Sequence, residues 1–492
     1  MSTLSDSQRR PVVETASGAV RGVPAAAGAV AFRGIPFAAA PVGDLRFAAP
    51  QPHSGWTGVR DAAAAGPAAP QWPSRLEAVA GTRVPDWAED NCLTLNVWTP
   101  DAAPDASRPV LLWFHGGGFT SGSGGWDWYD GARLAALGGI VVVTANYRLG
   151  PLGYLYLPEI GADNLGSQDQ AAALRWVAET IAAFGGDPGR ITVGGQSAGA
   201  FSAMALATDP ATAPLVRRVI GQSGPWGLSS PTPAEAAATV AAYLEILGIA
   251  ANSDAAKRLR ELPVSRLLAA NARLAAAIAR PGSVAPALYP VLGGAGHPEP
   301  FRDAVARGAL ADKDVLLGTT EDEMAAFYAF NPTVRTATRA EAVRILDGHT
   351  DGAGAQRYAK YEAAHPDAAP AAVLTAIATD RFSSEPATEF AALVAAQGNP
   401  AHIYRFGRRP VPDPYELGAA HCAELPFLFG TFDAYPNAPM LGTVDAADHA
   451  LATAFGGALA AFVATGSPNG PGLPTWRPYH SPADLRLFDR VS

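Results

Sequence analysis

A serine between glycines stands at the centre of residues 195–199, whose sequence is G-Q-S-A-G. Residues 190–195 predict a strand before it, and residues 198–207 predict a helix after it. A serine on such a tight strand-to-helix turn is exposed above a sheet, at a helix N-terminus that favours negative charge. The pattern therefore predicts that Ser197 is a nucleophile. Chance occurrence in a chain rich in alanine and glycine is the alternative.

A second glycine-rich segment, residues 115–119 with the sequence H-G-G-G-F, follows a strand predicted at 109–115. Glycines allow the backbone to approach a substrate closely, and loops of this type supply N–H donors to an oxyanion. Taken alone, the segment is equally typical of a plain strand-to-loop turn. Upstream of a nucleophile turn, it predicts an oxyanion hole formed by the N–H groups of Gly117, Gly118 and Ala198.

A serine nucleophile needs a general base and an acid that orients the base. The expected order along the chain is serine, acid, histidine. His421 follows the glycine-rich residues 418–420 and is the favoured base, but spacing alone leaves other downstream histidines open. The acid is also open, within a cluster that follows a strand predicted at 315–318. The acid candidates are Glu321, Asp322 and Glu323, and the other downstream histidines are His297, His349, His365, His402, His449 and His480.

These side chains need a framework, and the apolar patterning predicts one. The short apolar runs at 110–114 and 140–143 are typical of strands buried on both faces, and residues 168–184 have helical spacing. Strands alternating with helices predict an α/β fold with a mostly parallel sheet, helices on both faces and right-handed crossovers. We expect one domain over residues 1–492, with helical insertions at about 232–280 and 338–396. Further strands are predicted at 12–15, 19–22, 30–34, 93–99, 139–146, 216–222 and 402–406, and a long helix at 445–465.

Composition excludes several classes of protein. With 492 residues, 48% hydrophobic and 16% charged, the chain is not disordered. Its net charge of −9 argues against nucleic acid or an anionic membrane as a partner. Residues 1–14 are polar, and no apolar stretch reaches the roughly 18 residues of a membrane span, so we expect a cytoplasmic protein. Neither metal-ligand spacing nor a dinucleotide fingerprint is present, so no metal and no cofactor is predicted.

Segments across residues 12–489 resemble the type-B carboxylesterase family, the carboxylesterase and cholinesterase branch of the α/β-hydrolases. The resemblance is to its bacterial, para-nitrobenzyl-esterase-like members in particular. The segments that carry it are 32–38 (F-R-G-I-P-F-A), 91–97 (N-C-L-T-L-N-V), 146–148 (N-Y-R), 184–188 (F-G-G-D-P), 222–224 (Q-S-G) and 465–469 (T-G-S-P-N).

The resemblance implies an α/β-hydrolase fold and a complete catalytic triad. The family's acid falls on Glu323 within residues 318–324 (G-T-T-E-D-E-M), and its base falls on His421 within 418–425 (G-A-A-H-C-A-E-L). Its oxyanion glycines fall on Gly117 and Gly118.

Two departures from the family pattern have consequences. Gln196 replaces the glutamate that usually precedes the serine, so we expect a less basic histidine and a weaker preference for cationic substrates. Cys92 lacks the upstream cysteine that pairs with it in secreted relatives, so we expect a buried free thiol. Cys422 adjoins the base and is expected to pack there.

The predicted reaction is a two-step hydrolysis of a small-molecule carboxylic ester through an acyl-enzyme. Ser223 is expected to support the triad, together with Gln196. The predicted substrates are uncharged alkyl or aryl esters, because aromatic residues flank the motifs. Alternatives are amide or carbamate hydrolysis, aromatic polyester or diester hydrolysis, and a non-catalytic binding module. Both a monomer and a homodimer remain open. The predicted pocket residues are Phe119, Phe201, Trp226, Phe327 and Tyr328.

Overall fold

The structure is a computed structural model that describes residues 10–489, apart from 85, 251, 253, 350, 351 and 471. Residues 1–9, part of the polar segment on which the cytoplasmic expectation depends, lie outside the described residues, as do both ends of the predicted domain.

The strands of the described chain form two sheets. They are β1 (Val12–Thr15), β2 (Gly18–Arg21), β3 (Val23–Pro24), β4 (Val30–Pro36), β5 (Val59–Asp61), β6 (Thr94–Thr99), β7 (Arg108–Phe114), β8 (Val141–Ala145), β9 (Gly186–Gln196), β10 (Arg218–Gln222), β11 (Asp314–Thr320), β12 (Ala401–Phe406) and β13 (Arg486–Phe488).

The large sheet has ten strands in the described part of the chain, in the order β13-β12-β11-β10-β9-β7-β8-β6-β4-β3. Neighbours from β13 to β8 are parallel, whereas β6, β4 and β3 continue the sheet in antiparallel pairing. The small sheet has the order β1-β2-β5. The predicted mostly parallel sheet is thus confirmed.

Strand β7 shows why the buried strands could be predicted. Val110 and Phe114 belong to the apolar core on one face of the sheet, and Leu111 and Trp113 belong to the core on the other. A strand covered on both faces needs apolar residues at every position, which produces a continuous apolar run.

Helices cover both faces of the large sheet. They are α1 (Glu77–Ala80), α2 (Ala132–Gly138), α3 (Gly150–Tyr154), α4 (Leu165–Thr180), α5 (Ala198–Thr208), α6 (Pro233–Leu247), α7 (Ala255–Glu261), α8 (Val264–Ile278), α9 (Phe301–Ala306), α10 (Ala325–Tyr328), α11 (Pro332–Arg335), α12 (Arg339–Asp347), α13 (Gly354–Ala364), α14 (Pro370–Thr379), α15 (Glu385–Ala396), α16 (Leu425–Phe429) and α17 (Ala446–Thr465).

The two predicted helical insertions are helical but interrupted. The first was expected to be helical throughout, yet it contains α6, α7 and α8, because Gly248 ends α6 in a left-handed conformation and Pro263 precedes α8. The second contains α12 to α15, with a π-helical turn at Asp380–Ser384 between α14 and α15.

Helix α17 corrects the expectation that no segment is long and apolar enough to cross a membrane. Its 20 residues satisfy that test by length and composition. Its face with Phe455, Leu459 and Phe462 is buried in the core beside the sheet, where it also packs on α2 and α16. This apolar character is what a core helix needs.

Candidate active site

Ser197 occupies the single residue between β9 and α5, and its backbone is strained at φ 56°, ψ −123°. The turn is closed by a hydrogen bond from the Ser197 N–H to the Gln222 carbonyl, 2.8 Å. A Cβ at Gly199 would lie 1.9 Å from the Phe114 carbonyl oxygen, and one at Gly195 would lie 2.3 Å from Gly199. Only glycine fits these two positions, so the sequence pattern is a direct consequence of the tight turn.

The glycine-rich loop after β7 lies beside this serine, because β7 and β9 are parallel neighbours with Phe114 opposite Gly195. A Cβ at Gly116 would lie 3.2 Å from Cβ of Ser197. Gly117 and Gly118 have φ of 108° and 59°, and their N–H groups donate to no acceptor among the described residues. Free donors at this place are suited to an oxyanion.

Ala198 supplies the third predicted donor. It is the first residue of α5, where N–H groups have no intrahelical acceptor.

His421 is joined to Glu323 by a hydrogen bond of 2.5 Å between Nδ1 and Oε2. Both residues are buried. The other oxygen of Glu323 accepts the Thr320 N–H at 2.9 Å, so the carboxylate is held at the end of β11. Of the three acid candidates, Glu323 is therefore the one that contacts the histidine.

Asp322 holds two loops together. Its carboxylate accepts the Ala419 N–H at 2.9 Å and pairs with Arg409 at 3.0 Å, and a parallel backbone bridge joins Asp322 to Ala420. Glu321 lies at the surface and also pairs with Arg409. The backbone of the acid loop thus fixes the backbone of the histidine loop.

Gln196 contacts the other ring nitrogen of His421, with 3.2 Å between the amide Nε2 and the ring Nε2. An amide nitrogen only donates, so the ring Nε2 accepts and Nδ1 carries the proton that is donated to Glu323. This is the tautomer of a general base. No hydrogen bond joins the Ser197 hydroxyl to His421 among the described residues, a contact that often tightens only when substrate binds.

A second buried carboxyl group belongs to Glu424, three residues after His421 in the chain. Glu424 is fully buried, and one of its oxygens has no partner among the described residues. The Ser223 hydroxyl donates to the other oxygen at 3.4 Å, and the Ser223 N–H donates to the Gly318 carbonyl at 2.7 Å. Burial, with a smaller contribution from the charge of Glu323, raises the pKa of Glu424 to about 8.

Two aromatic rings lie against the imidazole of His421. Phe327, predicted as a pocket residue, has its ring centroid 5.2 Å away. Phe382 lies 5.6 Å away, from the π-helical turn Asp380–Ser384. No signal in the sequence singled out Phe382, because its turn lies in a long helical segment far from His421 along the chain.

The other four predicted pocket residues make different contacts. Phe119 and Phe201 are buried and pack edge to face at 5.5 Å. Trp226 packs on Phe301 at 5.9 Å. The hydroxyl of Tyr328, also buried, donates to a backbone carbonyl at 2.7 Å. None of the four has a ring contact with His421 among the described residues.

Both cysteines are free thiols. Cys92 is a buried free thiol, as predicted, and burial raises its pKa to about 12. Cys422 is free and half-buried. Among the described residues, no group of His, Cys, Asp and Glu is placed to hold a metal ion.

A serine on a strained turn, free amide donors beside it, and a buried histidine–glutamate pair lie at the carboxyl edge of a mostly parallel sheet. This arrangement defines a serine hydrolase of the α/β-hydrolase fold.

Comparison with known proteins then specifies the family. Residues 9–489 match the model of the carboxylesterase family. The chain is 37% identical to the phenmedipham hydrolase of Pseudarthrobacter oxydans, over 98% of this chain and 95% of that protein. It is also 37% identical to the para-nitrobenzyl esterase of Bacillus subtilis, over 95% and 92%. A crystal structure of a carboxylesterase from Geobacillus stearothermophilus superposes with a TM-score of 0.84 at 35% identity, over 98% of this chain and 96% of that one. The chain belongs to the carboxylesterase family and is a serine-type carboxylic ester hydrolase.

Proposed function

We propose that Ser197, Glu323 and His421 are the catalytic triad of this esterase. The observation that carries the proposal is the buried hydrogen bond of 2.5 Å between His421 and Glu323, beside the turn that presents Ser197. The backbone donors of the proposed oxyanion hole are Gly117, Gly118 and Ala198.

In the first step, Ser197 Oγ attacks the ester carbonyl while His421 Nε2 takes its proton. Nε2 has the required lone pair because the Nδ1 proton is donated to Glu323. Gln196 must yield its contact with Nε2 for this transfer. The imidazolium then protonates the leaving alcohol, and in the second step water attacks the acyl-enzyme by the same route.

We propose an uncharged alkyl or aryl group next to the reacting carbonyl. Phe327 and Phe382 line the imidazole with apolar surface, which favours such groups and disfavours charge. Relatives are named for phenmedipham and for N-octanoylanthranilate hydrolysis, so amide or carbamate hydrolysis remains the second candidate. Aromatic polyester or diester hydrolysis would use the same triad, and a non-catalytic binding module is the weakest alternative.

The remaining parts of the proposal concern the whole molecule. We propose a single catalytic domain over residues 1–492, with the two helical insertions as its cap and walls. We further propose that it acts in the cytoplasm on a small-molecule ester, as a monomer or a homodimer, without nucleic acid or a membrane as partner.

The test combines an active-site probe with matched substrates. A fluorophosphonate should label Ser197, identified by peptide mass, in parallel with loss of 4-nitrophenyl butyrate hydrolysis. Absence of labelling in the folded protein would favour the binding module. Comparison of 4-nitrophenyl butyrate with butyryl-4-nitroanilide separates the two enzymatic candidates, since preference for the anilide would contradict the esterase proposal.

A further inference from the structure

Arg75 lies beside the proposed site, although it is distant from every motif in the sequence. A Cβ at Gly118 would lie 3.2 Å from Nη2 of Arg75. The guanidinium carbon also lies 5.1 Å from the centre of the Phe327 ring, which in turn contacts His421. Arg75 therefore lies next to the oxyanion loop at Gly118 and shares the Phe327 ring with His421.

Most N–H donors of Arg75 have no hydrogen-bond acceptor within the part of the chain that the structure describes. Its Nη1 donates to the Val284 carbonyl at 2.7 Å, which accounts for one of the five N–H groups of a guanidinium. It has no carboxylate partner among the described residues. Surrounding protein lowers the pKa of Arg75 to about 10 by desolvation, although the residue is exposed to a cavity. A cation that is partly desolvated and unpaired is costly, and an anionic ligand would offset that cost.

The cavity beside Arg75 has a volume of about 590 Å³. Its walls include Arg75 and Pro286, which both approach Gly118, whereas Ser197 and His421 are not among them, so the chamber adjoins the oxyanion loop. Its charged wall residues are Arg75, Arg280 and Glu235. The carboxylate of Glu235 already accepts the N–H and the hydroxyl of Thr232, both at 2.8 Å, at the start of α6. The wall therefore carries two guanidinium cations against one carboxylate that is already engaged with Thr232, a positive balance in a chain whose net charge is −9.

The leaving alcohol is the part of the ester that this chamber suits. His421 would protonate that alcohol, so the alcohol must lie near the imidazole, and Phe327 links the imidazole to Arg75. We propose that Arg75 is a specificity residue that binds a carboxylate on the leaving alcohol, so that the enzyme prefers esters of hydroxy acids to their neutral counterparts. The inference rests on the proposed function and refines its substrate, since the acyl group remains uncharged.

The test compares butyryl esters of 3- and 4-hydroxybenzoic acid with butyryl esters of the corresponding hydroxybenzamides, which have nearly the same shape without the charge. The wild-type enzyme should have the higher kcat/KM for at least one benzoate. In Arg75→Gln this preference should fall by about tenfold or more, because a hydrogen bond to a charged group is lost. Hydrolysis of the benzamide esters should stay within a few-fold. Arg266→Gln, which removes an exposed arginine outside the chamber wall, should keep the preference.

Two measurements keep the outcome interpretable. Rising salt should reduce the wild-type preference for the benzoate, since partly exposed charges are screened, and this needs no variant. Arg75→Lys should keep part of the preference, because it keeps the charge but loses the planar fork. Equal wild-type kcat/KM values for benzoate and benzamide, or an equal loss of both in Arg75→Gln, would overturn the role of Arg75 while leaving the esterase proposal intact. Failure of the wild-type enzyme to hydrolyse any of these esters would instead count against the proposed function.

Discussion

The side-chain nitrogen of Gln196 lies 3.2 Å from Nε2 of His421, the ring atom that would take the proton of Ser197. The residue before the nucleophile thus contacts the base directly, and its lack of charge bears on the basicity of the imidazole. A neutral amide adds no charge beside the imidazole, whereas a carboxylate at that place would favour the imidazolium.

Gln196→Glu should therefore change the pH dependence of the rate. We expect the rising limb of the kcat/KM profile against pH to move upward by about one unit, because an opposite charge within hydrogen-bond distance favours the protonated imidazole. The profile with 4-nitrophenyl butyrate measures this. Gln196→Ala, which adds no charge, is the control and should leave the limb nearly in place. An unshifted limb in the glutamate variant would contradict a direct contact.

Ser197→Ala should remove hydrolysis of 4-nitrophenyl butyrate, with a loss of at least about 10⁴-fold in kcat. The thermal transition should be retained, since the substitution removes one oxygen and leaves the turn glycines unchanged. The control is Ser202→Ala on the same helix, where the hydroxyl donates only to the Ala198 carbonyl in the described structure. A folded Ser197→Ala protein with substantial activity would refute the nucleophile assignment.

Glu323→Gln and Asp322→Asn should separate the role of an orienting acid from that of a loop clamp. Glu323→Gln should lower kcat by about 10⁴-fold, because the amide no longer selects the tautomer with a free Nε2. Asp322→Asn weakens hydrogen bonds to Ala419 and Arg409, so we expect a loss of about 1–3 kcal/mol in stability with only a modest change in kcat. Paired kinetics and urea unfolding decide between them. The opposite result would mean that Asp322 is the acid.

Glu424 should make folding stability depend on pH. Its pKa of about 8 in the folded protein lies above the ordinary value near 4.5, so between these values the folded state binds more protons than the unfolded state. The free energy of unfolding must then decrease as pH rises across this window. Glu424→Gln, which resembles the protonated form, should lose that part of the decrease and become the more stable protein at pH 8 relative to pH 5. Urea midpoints at several pH values measure the two slopes, and parallel slopes would contradict a protonated Glu424.

Those parts of the fold that depend on local chemistry could be predicted from the sequence. Strands β7 and β8 were visible because burial on both faces requires uninterrupted apolar residues. The prediction for β9 began at residue 190, but the strand begins at Gly186. Gly186 pairs with Arg108 across a register shift, and residues 185–188 look like a turn on their own. The edge strands β5 and β13 were not predicted. Each has only three residues, most of them not buried, so neither strand requires a continuous run of apolar residues.

In the site, too, features set by neighbouring residues could be predicted, and features set by tertiary packing could not. The strained turn at Ser197 requires glycine at positions 195 and 199, so the nucleophile could be predicted from residues close to it in the sequence. The contacts of Phe382 with His421 and of Arg75 with Phe327 join segments that are remote along the chain. No spacing rule relates such residues, and only the packing of the insertions against the sheet brings them together.

The backbone bridge between Asp322 and Ala420 has a consequence for how this enzyme can be altered. It joins the loop before Glu323 to the loop before His421 and lies outside the helical segment from α12 to α15, so this backbone link between acid and base does not run through those helices. The helices of that segment can therefore be replaced while the bridged loops of the acid and the base are retained. Replacement of its helices, with Asp322 and residues 418–421 retained, offers a route to new substrate preferences without redesign of the catalytic machinery.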